Sequence, residues 1–289
     1  MDPHDELGAF LKTRRARISP AEVGLRDYGE RRRVPGLRRE ELAMLAGVSV
    51  DYYVRLEQGR ARGVSEEVLG AIADALRLDA DERDYVSSLA RPARQTRTGR
   101  PSVRPQVRVL LDAMHDVPAY VVDHRADILA WNPLAAALIL DFGALPRARR
   151  NWAVLCFLDE RTQEIFPEWS DKAREVVAQL RLNAARHPDD RRLAALVGEL
   201  SVKSEQFRTW WADRNVREKT FGIKRFRHPS VGELTLTFES LNLTGDADQT
   251  IVAYSAEPGS ASATALRLLA SLTASGSAPN PTAVSADSG

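Results

Sequence analysis

Residues 37–59, LRREELAMLAGVSVDYYVRLEQG, constrain the fold of this chain more than any other segment. Apolar residues recur there at helical spacing and share one face, namely Leu42, Ala43, Ala46, Val48, Tyr53 and Leu56. Gly47 stands where a first helix would end, a position that favours left-handed backbone. Ser49 follows as a candidate N-cap of a second helix. The segment therefore predicts two short helices joined by a tight turn, a helix-turn-helix.

The second of these helices has the dimensions of a reading element for DNA. Such a helix fits the major groove, and its N-terminal residues meet the base edges. Its polar face carries Val50, Asp51, Tyr52 and Arg55. Arg55 is the best candidate for a bidentate contact with guanine. Asp51 has two interpretations that the sequence leaves open, since it would either accept a hydrogen bond from a cytosine amino group or cap the helix.

Arginine is concentrated on both sides of this segment, although the whole chain of 289 residues carries a formal net charge of only +1. One cluster precedes or opens it and consists of Arg31, Arg32, Arg33, Arg38 and Arg39. Residues 91–108 hold six further arginines and no acidic residue. Because phosphate binding is largely electrostatic, the first cluster favours phosphate contact. The second fits either phosphate contact or a solvated linker.

Helical patterns surround the helix-turn-helix and predict an all-α domain over residues 1–91. Leu7, Phe10 and Leu11 mark its first helix, and Asp79 with Glu82 forms a capping box that would open its last. Residues 92–104 contain proline without apolar periodicity and predict a linker. Residues 273–289 are rich in Ser, Ala, Pro and Gly and predict a disordered tail.

Residues 105–272 predict a second domain of mixed α+β structure. A short helix after Pro105 carries Val109 and Leu110, and AYVVD and DILAWN then form a hairpin. Residues 151–214 are predicted to be helical. Three strands follow, in KTFGIKRFRH, VGELTLTFESLNL and TIVAYSAE. The order of two strands, a set of helices and three strands is that of a PAS domain.

Neither catalytic nor metal-binding motifs occur in the sequence. The phosphate-binding, nucleophile-elbow, zinc-protease and dinucleotide patterns are missing, and no two of the five histidines have metal-ligand spacing. The single cysteine excludes a disulfide framework and favours a reducing compartment. A signal peptide and a membrane-spanning run are also missing. We therefore expect a cytoplasmic protein without enzymatic activity, metal or cofactor.

Aromatic residues make the second domain a candidate for binding a small molecule. All five tryptophans lie there, and ligand pockets are mostly apolar with a few placed polar groups. The candidate pocket residues are Trp131, Asn132, Phe157, Trp169, Trp210 and His228. The same aromatics could instead fill a core. Asn132 is expected to cap a helix in either case, and His228 lies in a turn where it could bond to the backbone.

The first domain resembles the XRE class of DNA-binding domains, which includes Cro and the phage repressors. REELAMLAGVS and YVRLEQG carry the resemblance. It implies phosphate contacts from Arg38, Arg39 and Ser49 and base contacts from the polar face described above. It also places the buried glutamate of the family at Glu41. Val50 and Asp51 depart from common members, in which Gln or Arg is more usual.

The whole pattern resembles XRE-type regulators with an MmyB-like ligand-binding domain. PAYVVD, LAWNPLAAAL, HPSVG and AYSAEPGS carry that resemblance in the second domain. It implies a homodimeric transcription regulator that binds double-stranded DNA under the control of a fatty-acid-like or other apolar molecule in a PAS-like domain. The alternative is a DNA-binding protein whose PAS-like domain binds a protein partner and no small ligand.

Overall fold

The computed structural model describes residues 2–25, 36–61, 63–90, 102–216, 220–246 and 248–276. Its helices are α1 Pro3–Arg17, α2 Arg39–Leu45, α3 Val50–Glu57, α4 Glu66–Ala75, α5 Ala80–Ala90, α6 Pro105–Ala113, α7 Pro133–Leu138, α8 Trp152–Leu158, α9 Arg161–Ile165, α10 Trp169–Arg186, α11 Arg191–Lys203, α12 Glu205–Ala212 and α13 Ala261–Gly276. Its strands are β1 Ala119–Asp123, β2 Ile128–Trp131, β3 Phe221–His228, β4 Gly232–Asn242 and β5 Gln249–Ser255.

The chain divides into two compact units that each combine separate stretches of sequence. The helical unit consists of residues 1–99 and 170–219, and the sheet unit consists of residues 100–169 and 220–289. The helices α10 to α12 therefore share a unit with α1 to α5. The domain boundaries predicted at residues 91, 105 and 272 stay a prediction, and residues 91–101 lie outside the described part of the chain.

In the helical unit, α1 to α5 confirm the five predicted helices. Gly47 has φ of 65° at the end of α2, and the reciprocal hydrogen bonds of Asp79 and Glu82 open α5. The helix-ending glycine and the capping box each depend on contacts within one helical turn, so the sequence alone predicts where these helices end or begin. The apolar faces of α1, α3 and α5 meet in one core that also contains residues of the later segment, namely Leu182, Ala185 and Val216.

The helices α1 and α3 approach so closely that one contact excludes any side chain. A Cβ atom built on Gly8 would lie 2.4 Å from the carbonyl oxygen of Glu57. Real Cβ atoms do not come this close to backbone oxygen, so the crossing of the two helices depends on glycine. No local pattern around Gly8 indicates this, because the contact joins residues 49 positions apart.

The sheet unit contains an antiparallel sheet with strand order β2-β1-β5-β4-β3, which confirms a mixed α+β fold. Leu234, Leu236 and Phe238 of β4 are buried while the residues between them are exposed, as their alternation predicts. The interior of the unit is a continuous aromatic cluster, which we define as Tyr120, Phe142, Trp152, Phe166, Phe226 and Tyr254, with ring centroids 5.1–6.3 Å apart.

The structure shows which face of α6 is buried, for which the sequence made no prediction, and it differs from the prediction at the C-terminal tail. The helix α6 packs on the sheet through Val107 and Leu111, whereas Val109 is 68% exposed and Leu110 47% exposed. Five apolar residues in a nine-residue helix are compatible with more than one buried face, and packing on the sheet selects one of them. The predicted tail also begins with ordered structure, because α13 extends to Gly276 and contacts α7 and β4. Residues 277–289 lie outside the described residues.

Candidate nucleic-acid interface and ligand site

The helix α3 presents the predicted polar face to solvent. The hydroxyl of Ser49 accepts a hydrogen bond from the backbone N–H of Tyr52 at 3.2 Å and so caps the helix. Tyr53 and Leu56 are buried on the opposite face. Val50, Asp51 and Arg55 are exposed and Tyr52 is half-buried. The structure therefore places all four predicted base-reading residues on or beside one accessible surface.

Ser49 also bears on the two interpretations of Asp51. Since the Ser49 hydroxyl occupies the N-cap position, Asp51 stands within the first turn of α3. A carboxylate there interacts favourably with the positive end of the helix dipole. Its contact with a cytosine amino group stays a prediction.

Two of the three glutamates in residues 37–59, Glu41 and Glu57, have different structural roles. Arg38 is the N-cap residue, and its backbone N–H donates to a carboxylate oxygen of Glu41 at 2.7 Å. Glu41 is half-buried and its role is to cap. The expectation that Glu41 is the buried glutamate is therefore wrong. Within residues 37–59 the buried glutamate is Glu57, whose side chain is 1% exposed at the end of α3.

Glu57 is the centre of an ion-pair cluster that we define as Arg15, Arg39 and Glu57. The Nε of Arg15 lies 2.6 Å from one carboxylate oxygen, and the Nε of Arg39 lies 2.7 Å from the other. Arg15 also donates to the carbonyl oxygen of Leu37 at 2.5 Å. Burial by itself raises the pKa of Glu57, but the hydrogen bonds from Arg15 and Arg39 outweigh it and hold the pKa below its usual value. Glu57 is therefore ionised at neutral pH.

The cluster orients a candidate phosphate-binding residue. The Arg39 side chain remains 40% exposed while its Nε is held by Glu57. A guanidinium has five N–H donors in a fixed plane, so the group can bind Glu57 and a phosphate together. Sequence reasoning missed Arg15 and Glu57 as positioning residues. The only local signal was the Leu-Glu-x-Gly motif at the end of α3.

We predict that Arg39→Ala weakens binding to all DNA sequences about equally. Loss of one phosphate contact should lower the slope of log K against log salt by about one unit. The slope is measured by titrating a fluorescent duplex at several salt concentrations. Arg83→Ala in α5, which removes a charge paired with Asp74 at 2.7 Å, is the control and should change the slope far less. A loss confined to particular base pairs would contradict a phosphate role.

Of the other predicted contacts to DNA, several fall outside the described residues. This applies to Arg31, Arg32, Arg33 and to the arginines at 91–100. Arg104 is described, and its Nε lies 2.6 Å from a carboxylate oxygen of Asp246. None of the helices within the described ranges has the length and apolar character that crossing a membrane requires.

The six candidate pocket residues are divided between the two units, five in the sheet unit and one in the helical unit. Trp131 lies beside Phe142 at 5.5 Å between ring centroids, and Phe157 packs edge-on against Trp169 at 6.1 Å. Trp169 donates its indole N–H to the carbonyl oxygen of Cys156 at 2.8 Å. These residues belong to the sheet unit. Trp210 lies on α12 in the helical unit, under the guanidinium of Arg174 at 4.4 Å.

The two polar candidates of the sheet unit are engaged with backbone. Asn132 is buried, caps α7 and also donates to the carbonyl oxygens of Met114 and Val117 at 2.9 and 2.7 Å. The Nε2 of His228 lies 2.9 Å from the carbonyl oxygen of Ala137, and its Nδ1 accepts from the backbone N–H of Ser230. These contacts match the alternative structural roles that the sequence left open, and ligand contact stays a prediction for both residues.

Sequence reasoning missed two tyrosines inside the aromatic cluster. The hydroxyls of Tyr120 and Tyr254 lie 3.3 Å apart, and burial raises the pKa of Tyr120 well above its usual value. The hydroxyl of Tyr120 is therefore a neutral polar group in an apolar interior. Their strands are separated by more than 120 residues in sequence, so only the pairing of β1 with β5 brings them together.

Comparison with known families finds two domains in succession along the chain. Residues 6–86 match the model of a helix-turn-helix domain. Residues 103–269 match the model of the MmyB-like transcription regulator ligand binding domain, which covers more than half of the chain. No curated protein matches the chain. The polar face of α3 is exposed, and the matched ligand-binding domain follows the helix-turn-helix in the sequence. The chain belongs to the MmyB-like transcription regulators and is a DNA-binding protein.

Proposed function

We propose that this regulator is a cytoplasmic homodimer of the XRE type whose affinity for its operator is set by an apolar molecule bound in a PAS-like domain. The observation that carries the DNA-binding half is the capped α3 with its accessible polar face. The family match and the aromatic cluster support the ligand-binding half. The strand order β2-β1-β5-β4-β3 supports the likeness to PAS domains. The proposal contains no catalytic step.

We predict that Arg55→Ala relaxes base preference at one position of the operator and leaves the fold intact. The side chain is exposed on α3, and a bidentate contact with guanine is worth about 1–3 kcal/mol of discrimination. The measurement is selection from randomised duplexes, followed by titration of the selected sequence and its single-base variants.

Arg55→Lys is the matched control for this prediction. Lysine keeps the charge but lacks the planar fork that bonds to two acceptors of guanine. The lysine variant should therefore retain non-specific affinity while losing most of the discrimination. Unchanged base preference in Arg55→Ala would remove Arg55 from the reading surface.

Dimerisation is proposed because one helix-turn-helix makes few base contacts. Two copies would bind half-sites about 34 Å apart, one turn of the duplex. The selected duplexes should then contain an inverted repeat, and sedimentation should give twice the mass of the chain. A single half-site bound by one copy would contradict the dimer.

The ligand-binding half is tested by thermal unfolding of the whole protein with a panel of fatty acids and hydrophobic metabolites. A ligand at a hundredfold excess over its dissociation constant stabilises the native state by about 2.7 kcal/mol, which a melting curve resolves easily. A ligand that raises the melting temperature should also change affinity for the selected duplex. If none of the panel does so, the small-molecule hypothesis fails.

A protein partner in place of a small ligand is the second candidate. The observation that favours it is β3, an edge strand on which Phe221 is 67% exposed and Ile223 is 62% exposed. Exposed apolar side chains on a strand edge are a common docking surface for another chain. Native mass spectrometry distinguishes the candidates, because it reveals either a retained small molecule or a stoichiometric polypeptide.

A further inference from the structure

The family match and the structure place residues 170–216 in different parts of the molecule. By sequence this segment lies inside the matched ligand-binding domain, which spans residues 103–269. In the structure it belongs to the helical unit together with the helix-turn-helix. Leu182, Ala185 and Val216 of the segment are buried in the same core as Phe10 and Leu11 of α1. The segment therefore contributes to the core of the DNA-binding domain.

A buried arginine joins α10 of this segment to α1 and α5. Arg181 is 1% exposed and forms an ion pair with Glu6, which is also buried. The same Glu6 oxygen accepts a hydrogen bond from the hydroxyl of Tyr85 at 2.9 Å. The guanidinium of Arg181 also lies 4.2 Å from the ring centroid of Trp211 and donates to the carbonyl oxygen of that residue. One side chain thus connects α1, α5, α10 and α12.

The energetics of buried charge make this contact a strong coupling. A buried ionised group that loses its partner pays its full desolvation cost, and removal of one partner is strongly destabilising. If α10 moved away from α1, Glu6 and Arg181 would each lose the other. A state in which α10 has separated from α1 is therefore disfavoured. We expect α1, α5, α10 and α12 to move or unfold together.

A second set of contacts holds the end of the same segment to α1. Arg14 pairs with Glu82 at 2.5 Å and donates to the carbonyl oxygen of Arg214 at 2.8 Å. Arg17 donates to the carbonyl oxygen of Asp213 at 2.9 Å and to the side chain of Asn215 at 3.0 Å. Because α1 in turn packs against α3 at Gly8, the contacts form a continuous path from α10 to the reading helix.

We propose that residues 170–216 transmit the state of the ligand-binding domain to the helix-turn-helix, and that Arg181 holds them in the helical unit. We call this segment the output element. The linker between the two matched domains is then not the route of the signal. A ligand would act by changing the position or stability of α10, which α1 transmits to α3. The inference rests on the proposed function, because it names how ligand and operator binding are coupled. Coupling is reciprocal, so DNA must also stabilise α10 to α12.

Hydrogen exchange of the full chain, read by mass spectrometry, tests this in two parts. In the free protein, Arg181→Met should speed exchange in α1 and α5 as well as in α10. The expected increase is about a hundredfold for amides that exchange only when the whole helical unit unfolds. Arg174→Met is the matched control, because Arg174 lies on the same helix and contacts Trp210 of α12. This variant should leave the exchange rates of α1 and α5 unchanged. Faster exchange confined to α10–α12 in Arg181→Met would overturn the proposal.

The second part adds a duplex selected from random sequences by the wild-type protein. Binding should slow exchange in α10–α12 of the wild type, and in Arg181→Met the slowing should be confined to α1–α5. DNA binding without any protection of α10–α12 would overturn the output role while leaving the DNA-binding function intact. If no duplex is selected, the proposed function fails, and the free-protein part still decides whether the segment belongs to the DNA-binding body.

A double variant guards against simple unfolding. Replacing both members of a buried ion pair is often nearly neutral, because no unpaired charge remains. Glu6→Gln with Arg181→Met should therefore be more stable than Glu6→Gln alone, which leaves Arg181 buried without its carboxylate, while the coupled protection by DNA stays lost. In Arg181→Met alone, Glu6 still lies 3.5 Å from the Nε of Arg214. Additive losses in the double variant would show that the two residues do not act as a pair, and would contradict the proposed tie.

Discussion

Replacing Glu57 with Gln should lower the free energy of unfolding of the helical unit by about 3–5 kcal/mol, the cost of removing one partner from a buried ion pair. Arg15 is 9% exposed and would lose the carboxylate that binds it. Arg39 would lose the same partner at the start of α2. Urea denaturation followed by circular dichroism measures the change.

Glu40→Gln is the matched control, since Glu40 precedes Glu41 on α2 and its side chain is exposed. It should change stability by no more than about 0.5 kcal/mol, as is usual for surface substitutions. Equal losses in the two variants would contradict a central role of Glu57. DNA binding by Glu57→Gln, measured where the variant is folded, should also fall because Arg39 is no longer held.

The same residue predicts part of the acid sensitivity. The pKa of Glu57 in the folded protein lies below its usual value, since the hydrogen bonds from Arg15 and Arg39 outweigh the effect of burial. A depressed pKa contributes stability that is fully present above the unfolded value of about 4.3 and is lost as pH falls through the folded value. Glu57→Gln should therefore lose less stability than the wild type on acidification below that range.

Gly8→Ala is expected to destabilise the helical unit by about 1–3 kcal/mol or more, the usual cost of forcing an extra carbon into a packed interior. The added Cβ would lie 2.4 Å from the carbonyl oxygen of Glu57, so α1 and α3 would have to separate. The sign of this change in the free energy of unfolding distinguishes the close contact from an ordinary helix position. In a helix interior the same substitution normally stabilises by about 0.5–1 kcal/mol.

Gly70→Ala supplies the control within the same unit. Gly70 lies in α4, and a Cβ built there would meet nothing within 4 Å. That variant should gain stability by the usual helical preference of alanine. Thermal melting of both variants measures the difference. A stabilised Gly8→Ala protein would show that the crossing of α1 and α3 tolerates a side chain.

The accuracy of the sequence-based predictions depended on the range of the interactions involved. Gly47, Ser49 and the Asp79–Glu82 box were placed correctly because each satisfies backbone groups within four residues. The strands were predicted for the same reason, since the alternation of apolar and polar residues within β4 matches its alternating burial. The helix α6 was predicted, but its buried face was not, because packing on the sheet selects that face.

The amino-acid sequence by itself determined the helix-turn-helix, the exposed face of α3 and the mixed α+β second domain, because periodicity and capping act over one or two turns of chain. Tertiary structure alone decided which glutamate of the helix-turn-helix is buried, why residue 8 is glycine and which unit contains α10. These depend on contacts between Glu57 and Arg15, between Gly8 and Glu57, and between Arg181 and Glu6, which are 42, 49 and 175 residues apart. A residue can be recognised as a buried charge or as a close helix contact only when its partner is known, and the separation between the two in the sequence follows no fixed rule.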